Sequence, residues 1–171
     1  LDIHSMTSNS PPLMLINKRA KHVAMARKVG YPADVAARPV YAPGKRIIEY
    51  TPFDDPANDR TALLVECGEH WATSTAEVAL DTALRFLTAA GVISAETAAA
   101  HLHLKTPPPQ RVLEVTHGVT ATSDRFRFVA NFVGCETFAK AGAAVAEDGG
   151  NTVRTPYDGC VLIMPNHRSR A

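Results

Sequence analysis

The chain has 171 residues, and its 18 Lys plus Arg nearly balance its 17 Asp plus Glu. This balance leaves no basic surplus for binding nucleic acid or an anionic membrane, and the sequence contains no apolar stretch near the roughly twenty residues that span a bilayer. The length allows one or two domains with a sizeable core. The cysteines Cys67, Cys135 and Cys160 form no CxxC and lie in or beside apolar segments. They are typical of reduced, buried thiols in a cytoplasmic protein.

The first residues, Leu1-Asp2-Ile3-His4-Ser5, resemble the end of a buried strand whose last residue is His4. Leu13-Met14-Leu15-Ile16 predicts a second short strand. Asn17 can then cap a helix from about residue 18 to residue 29, with Gly30 in the stop position. The basic run 18–21 is interpreted as the solvated face of this helix.

Residues 31–60 are rich in Pro, Gly and Asp. This composition predicts a long irregular stretch, interrupted by a short strand at about residues 46–50. Loops of this length in compact domains are usually functional or mobile.

Glu66 follows the apolar run Ala62-Leu63-Leu64-Val65 and precedes Cys67. Four apolar residues bounded in this way predict a buried strand, and a carboxylate at its end is costly to bury unless it is paired, metal-bound or catalytic. A His and a Glu that each end a strand suit a zinc ligand and a general base of a hydrolase. The alternative is that Glu66 has a structural role, in an ion pair or as a cap. A Cys67 nucleophile is disfavoured, because adjacent residues on a strand point to opposite faces.

Ser74 and Glu77 form a capping-box pair before a helix whose apolar residues recur at helical spacing. The members of this stripe, predicted to be core, are Ala76, Ala79, Leu80, Ala83, Leu84, Leu87 and Ala90, and Gly91 ends the helix. Ser94 is expected to cap a shorter helix that runs to about Leu102.

Three consecutive prolines within residues 106–110 predict a stiff extended connector. Beyond them the apolar period becomes two, and glycines punctuate short segments, as in a small β domain. The predicted organisation is therefore an α/β portion at residues 1–105, a proline linker at 106–110 and a β-rich domain at 111–171. The last domain is similar to the barrel-sandwich folds.

Two motifs, Asp2-Ile3-His4-Ser5 and Leu64-Val65-Glu66-Cys67-Gly68, resemble the succinylglutamate desuccinylase/aspartoacylase family of zinc carboxypeptidase-like enzymes. Segments at residues 116–120 and 154–165 resemble the β-rich C-terminal domain of one branch of that family. The resemblance implies an α/β fold with part of a zinc-carboxypeptidase-like sheet flanked by helices, followed by the small barrel-sandwich-like domain.

The same resemblance implies Zn²⁺ as cofactor, His4 as a metal ligand and Glu66 as the catalytic general base. The family holds its zinc with an H-x-x-E pair and a later His, and His4 matches only the later His. Because no H-x-x-E is present, the simplest interpretation is a fragment that lacks the first part of the catalytic domain. Such a fragment is expected to bind zinc weakly and to be inactive.

The implied activity is zinc-dependent hydrolysis of an amide or ester bond in a small N-acyl amino acid-like substrate. We expect no nucleic acid or membrane partner, and the chain is compatible with a homo-oligomer. The alternative is a non-catalytic α/β-plus-β binding or interaction module without a complete metal site. His70 can be an active-site neighbour or an ordinary surface residue, and the sequence leaves the choice open.

Overall fold

The computed structural model describes residues 1–38 and 46–167. The chain divides into two compact units, Leu1–Thr116 and His117–Ala171. Residues 39–45, within the predicted irregular stretch, lie outside the described part.

The first unit is built on a five-stranded sheet. Its strands are Asp2–Met6 (β1), Leu13–Asn17 (β2), Asp34–Arg38 (β3), Leu64–Glu69 (β4) and Arg111–Glu114 (β5). The strand order is β1-β4-β2-β3-β5. β1 is parallel to β4, β4 is antiparallel to β2, and β2, β3 and β5 are parallel to one another. The carboxyl ends of β1 and β4 therefore lie side by side at one end of the sheet.

Three helices accompany this sheet: Ala20–Val29 (α1), Thr73–Ala89 (α2) and Ala95–His101 (α3). One face of the sheet carries a buried apolar cluster that includes Met14, Ile16 and Val35, and residues of α1 and α2 pack against it. Side chains alternate along a strand, so Leu13, Leu15 and Asn17 point to the other face. A 3₁₀ turn at Ile47–Glu49 contacts this second face, where Asn17 Nδ2 donates to the Ile48 carbonyl at 2.6 Å. The short strand predicted at 46–50 is thus a helical turn.

The helix ends agree only partly with the expected caps. Ser94 caps α3 as predicted, since its Oγ accepts from the Thr97 N–H at 3.0 Å. Gly30 has φ 67° and ends α1, also as predicted. The Asn17 cap is wrong, because that side chain is used by Ile48 and Asp54 and the helix begins two residues beyond the expected place. The capping box at Ser74 is also wrong, because α2 begins at Thr73 and has no side-chain cap.

The predicted core stripe of α2 is not the face that the structure buries most deeply. Leu80 is 43% exposed, whereas Asp81 and Thr82 are buried. Asp81 accepts hydrogen bonds from the His103 and Leu104 N–H groups at 2.9 and 2.8 Å, so it fixes the segment after α3. Burial alone would raise the pKa of Asp81, but these hydrogen bonds lower it below its ordinary value. These hydrogen bonds account for the burial of a charged residue on α2.

The basic run at residues 18–21 is solvated only in part, because Lys18 is exposed whereas Arg19 and Lys21 are partly buried in specific contacts. The Lys21 ammonium donates to the carbonyls of Asp55, Asn58 and Arg60 at 2.6–2.8 Å, and to that of Pro52 at 3.5 Å. Arg19 Nε donates to Asp54 Oδ1 at 2.7 Å, and the pKa of Arg19 is raised by that bond. These side chains hold segment 52–60 against α1.

The unit boundary lies after Thr116, beyond the predicted linker at 106–110. Arg111–Glu114 pairs with β3 as an edge strand of the first sheet, and the Arg111 guanidinium is paired with Asp34. Alternation at these positions does predict a strand. The choice of sheet depends on pairing with residues far away in sequence, which alternation does not encode.

The second unit contains two small antiparallel sheets in its described part, in agreement with the predicted β-rich region. Its strands are Arg127–Phe128 (β6), Thr137–Phe138 (β7), Ala144–Asp148 (β8), Asn151–Arg154 (β9) and Cys160–Val161 (β10). β8 lies between β6 and β9, and β7 pairs with β10. Buried Asp148 accepts from the Thr122 and Ser123 hydroxyls at 2.7 and 2.6 Å. Across residues 1–38 and 46–167, no helix is long and apolar enough to cross a membrane.

Candidate active site

His4 and Glu66 are direct neighbours in the sheet. They are register partners of the parallel strands β1 and β4. Adjacent strands lie about 4.8 Å apart, and partners in register project to the same face. Both residues lie within their strands and not at the ends, because β4 continues to Glu69. The sheet therefore places an imidazole beside a carboxylate on one face.

Glu66 is a buried acid with unused hydrogen-bonding capacity. It is 9% exposed, and its Oε2 atom has no hydrogen-bond partner among the described residues. Burial raises the pKa of Glu66 above its usual value, while the nearby charges of His4 and Arg46 act in the opposite direction. A carboxylate with an open oxygen and a raised pKa is suited to accept and return a proton.

His4 has a carboxylate partner within its own strand. Its Nε2 lies 3.1 Å from Asp2 Oδ1, so the i−2 side chain does reach the ring. The other ring nitrogen, Nδ1, is left for a different role. Carboxylate–histidine pairs of this kind fix the orientation of metal-binding imidazoles.

Arg46 is a charged residue of this face that the sequence did not single out. It directly precedes the 3₁₀ turn, and its Nη1 atom is buried without a hydrogen-bond partner in the described part of the chain. Its charge acts on both Glu66 and Arg38, and the pKa of Arg38 is lowered by burial and then by Arg46. No local pattern identifies Arg46, because only the fold brings its loop to β4.

The two other candidate residues near Glu66, Cys67 and His70, differ in what they can contribute to the site. Burial raises the pKa of the Cys67 thiol to about 11, so Cys67 is protonated at neutral pH and unsuited to nucleophilic attack. His70 lies just beyond β4, and its Nδ1 is 2.6 Å from Ser5 Oγ. The charge of His70 also acts on Glu66. His70 is therefore a neighbour of the site, and Ser5 is a second residue that sequence reasoning missed.

The zinc expected here requires more ligands than this face supplies. Within residues 1–38 and 46–167, there is no group of three His, Cys, Asp or Glu side chains that could hold a metal ion. His4 Nε2 lies beside Asp2, so Nδ1 is the ring nitrogen of His4 that could bind a metal, and Glu66 could accept a proton beside it. A catalytic zinc site needs three protein ligands, and His4 would be one of them.

Comparisons with known proteins place the fold. No protein-family model matches the chain, and no curated protein matches it. Succinylglutamate desuccinylase from Vibrio cholerae matches 98% of this chain with a TM-score of 0.64 at 18% identity. A succinylglutamate desuccinylase/aspartoacylase from Rhodobacter sphaeroides matches 96% with a TM-score of 0.57 at 12% identity. The product-bound ectoine utilization protein EutE (DoeB) from Ruegeria pomeroyi matches 94% with a TM-score of 0.54 at 15% identity.

The chain covers 48%, 57% and 51% of these three structures respectively, and so spans about half of their length. At these identities the likeness shows the fold. It confirms the resemblance to succinylglutamate desuccinylase/aspartoacylase structures and the fold class, a mixed α/β sheet flanked by helices plus small antiparallel sheets.

Proposed function

We propose that this chain supplies part of the active centre of a zinc-dependent hydrolase. The reaction is cleavage of an amide or ester bond in a small N-acyl amino acid-like substrate. The observation that carries the proposal is the register pair His4–Glu66, in which an imidazole oriented by Asp2 lies beside a buried carboxylate. The fold shared with desuccinylase structures supports the same reaction class.

In this proposal His4 holds the metal through Nδ1, while Asp2 accepts a hydrogen bond from Nε2–H and fixes the ring. The remaining ligands come from polypeptide outside these 171 residues. Zinc, when bound, supplies Lewis acidity that activates water and polarises a carbonyl. The chain by itself is expected to bind zinc weakly and to be inactive.

Glu66 carries the proton in this reaction. Its burial favours the protonated form, so the carboxylate readily takes a proton from the attacking water and returns it to the leaving group. Nη1 of Arg46, which has no hydrogen-bond partner among residues 1–38 and 46–167, can donate to an oxygen of the substrate on the same face. Proton transfer is thus assigned to Glu66, and orientation of the substrate to Arg46.

We place the protein in the cytoplasm, with a small-molecule substrate and no nucleic acid or membrane partner. The spacing of its three cysteines, which form no CxxC, supports a reducing compartment. The proposed function is compatible with a homo-oligomeric protein.

The second candidate is a non-catalytic binding or interaction module. It is favoured by the lack of a three-ligand group in the described residues. The reading frame upstream of Leu1 discriminates between the candidates, because an H-x-x-E there would complete the ligand set. A start codon at this point would instead favour the module.

The proposed enzymatic function is tested by comparing the Glu66→Gln and His4→Ala variants of the full-length protein. Gln keeps the shape of Glu but cannot accept the proton, so turnover should fall by about a hundredfold to ten-thousandfold while zinc is retained. His4→Ala should lose zinc and turnover together. Steady-state kinetics and elemental analysis measure both. Near-normal turnover of the Gln variant would make Glu66 structural, and loss of zinc from it would make Glu66 a ligand.

A further inference from the structure

The ladder between β1 and β4 becomes irregular immediately beyond the His4–Glu66 pair. Between this pair and the next one, Met6–Glu69, β1 advances two residues and β4 advances three. The extra residue on β4 forms a bulge, and Gly68 has φ 121° there. A Cβ atom at Gly68 would lie 3.0 Å from Thr75 Oγ1, so a side chain there would be a tight contact as well as a strained backbone position. Bulges commonly re-aim side chains beside active sites.

Two hydrogen bonds close the ladder again past the bulge. The His70 N–H donates to the Met6 carbonyl at 2.8 Å, and the side chains of Ser5 and His70 meet at 2.6 Å. Ser5 directly follows His4, and His70 lies four residues after Glu66. The Ser5–His70 contact therefore ties together the two chain segments that carry the candidate ligand and the candidate base.

The Ser5–His70 tie matters mechanically because the β1–β4 ladder is irregular at this point. On the amino side of the pair, the ladder is regular, and the Asp2 N–H donates to the Leu63 carbonyl at 2.8 Å. On the carboxyl side, the bulge removes regular pairing, and the bonds of His70 replace it. The spacing of His4 and Glu66 thus depends on contacts from both sides.

We propose that Ser5 and His70 are positioning residues, whose side-chain hydrogen bond keeps His4 and Glu66 at the separation that hydrolysis requires. This inference rests on the proposed function of that pair. The inference holds whichever residue donates the hydrogen bond, since the Ser5 hydroxyl can donate to His70 Nδ1 or accept from Nδ1–H. Neither residue needs to touch the substrate.

The first arm of the test is kinetic and uses the full-length enzyme with an N-acyl amino acid. Ser5→Ala and His70→Phe each remove the hydrogen bond, and we expect kcat to fall by about tenfold to a hundredfold with KM nearly constant. His70→Asn keeps a polar atom close to the Nδ1 position and should recover most of the lost kcat. Ser74→Ala and His101→Phe alter exposed residues of α2 and α3 and serve as matched controls.

The second arm measures hydrogen exchange of the backbone N–H of residue 70 in the 171-residue chain. Loss of a hydrogen bond of ordinary strength should speed this exchange by about twofold to tenfold in Ser5→Ala and His70→Phe, but not in His70→Asn. This readout is independent of activity. It reports on the tie itself, even in a chain that hydrolyses nothing.

Several results would overturn the inference. A rise in KM at constant kcat for His70→Phe, without the same effect in Ser5→Ala, would make His70 a substrate contact. Unchanged exchange in both variants would show that the hydrogen bond does not hold the strands. If the wild-type enzyme hydrolyses no acyl-amide or ester, the proposed function fails and the positioning role fails with it. The exchange arm would then still show whether the tie exists.

Discussion

At the scale of single residues, His4 is oriented from within its own strand. Asp2 and His4 are two positions apart, and their side chains share a face and meet at 3.1 Å. The sequence places both residues on one face, but it does not say whether side chains so far apart along a strand can reach one another. That contact depends on rotamers, which the surrounding fold selects. Glu66 is conspicuous in the sequence for a different reason, because it is a charged residue at the end of an apolar run.

We therefore expect Asp2→Ala to weaken zinc binding by the full-length protein about tenfold to a hundredfold, because the imidazole loses the acceptor that fixes it. Competition with a chromophoric chelator measures the affinity. Asp59→Ala, at an exposed position of segment 52–60, is the matched control. Equal zinc affinities for the two variants would show that Asp2 does not orient the ligand.

At the scale of elements, local signals succeeded where the partner is close in sequence. Ser94 caps α3 through Thr97, three residues away, and Gly30 ends α1 through its own backbone conformation. They failed where the partner is distant. Asn17 has the composition of a cap, yet it bonds Ile48, and Lys21 has the composition of a solvated side chain, yet it bonds segment 52–60. A residue that suits two roles is assigned by tertiary contacts that the local pattern does not contain.

The Lys21 contact leads to a stability prediction. Lys21→Met keeps the apolar stem but removes the ammonium, so the carbonyl oxygens around it lose their common donor. We expect unfolding in urea to become easier by about 1–3 kcal/mol. Amide exchange in residues 50–60 should speed up at the same time. Lys28→Met, in the exposed last turn of α1, provides the comparison. A similar loss of stability in both variants would argue against any special role for Lys21.

At the scale of the whole molecule, β5 belongs with the first unit although it follows the prolines. Val112 packs against the apolar cluster of the first sheet, and Arg111 pairs with Asp34, which is buried. A change in composition marks the prolines clearly, but it does not mark where long-range pairing stops. β5 therefore follows the prolines in sequence and still pairs with β3 in the first sheet.

A chain of residues 1–116 is accordingly expected to be more stable than a chain of residues 1–110. The shorter chain loses the burial of Val112 and leaves Asp34 without its partner, which together cost at least about 2 kcal/mol. Urea denaturation followed by circular dichroism compares the two. Equal midpoints would show that β5 contributes nothing to the first unit.

The ammonium of Lys21 binds main-chain oxygens and no side chain of the segment that it holds. Every amino acid offers a carbonyl, so this anchorage places no demand on which residues occupy the segment, provided that the backbone can follow its path. The path itself does depend on two side chains, because Asp55 Oδ1 and Asn58 Oδ1 accept the N–H groups of Ala57 and Arg60 at 2.9 Å. Substitutions of the exposed Arg60 side chain can therefore accumulate without releasing the segment from α1.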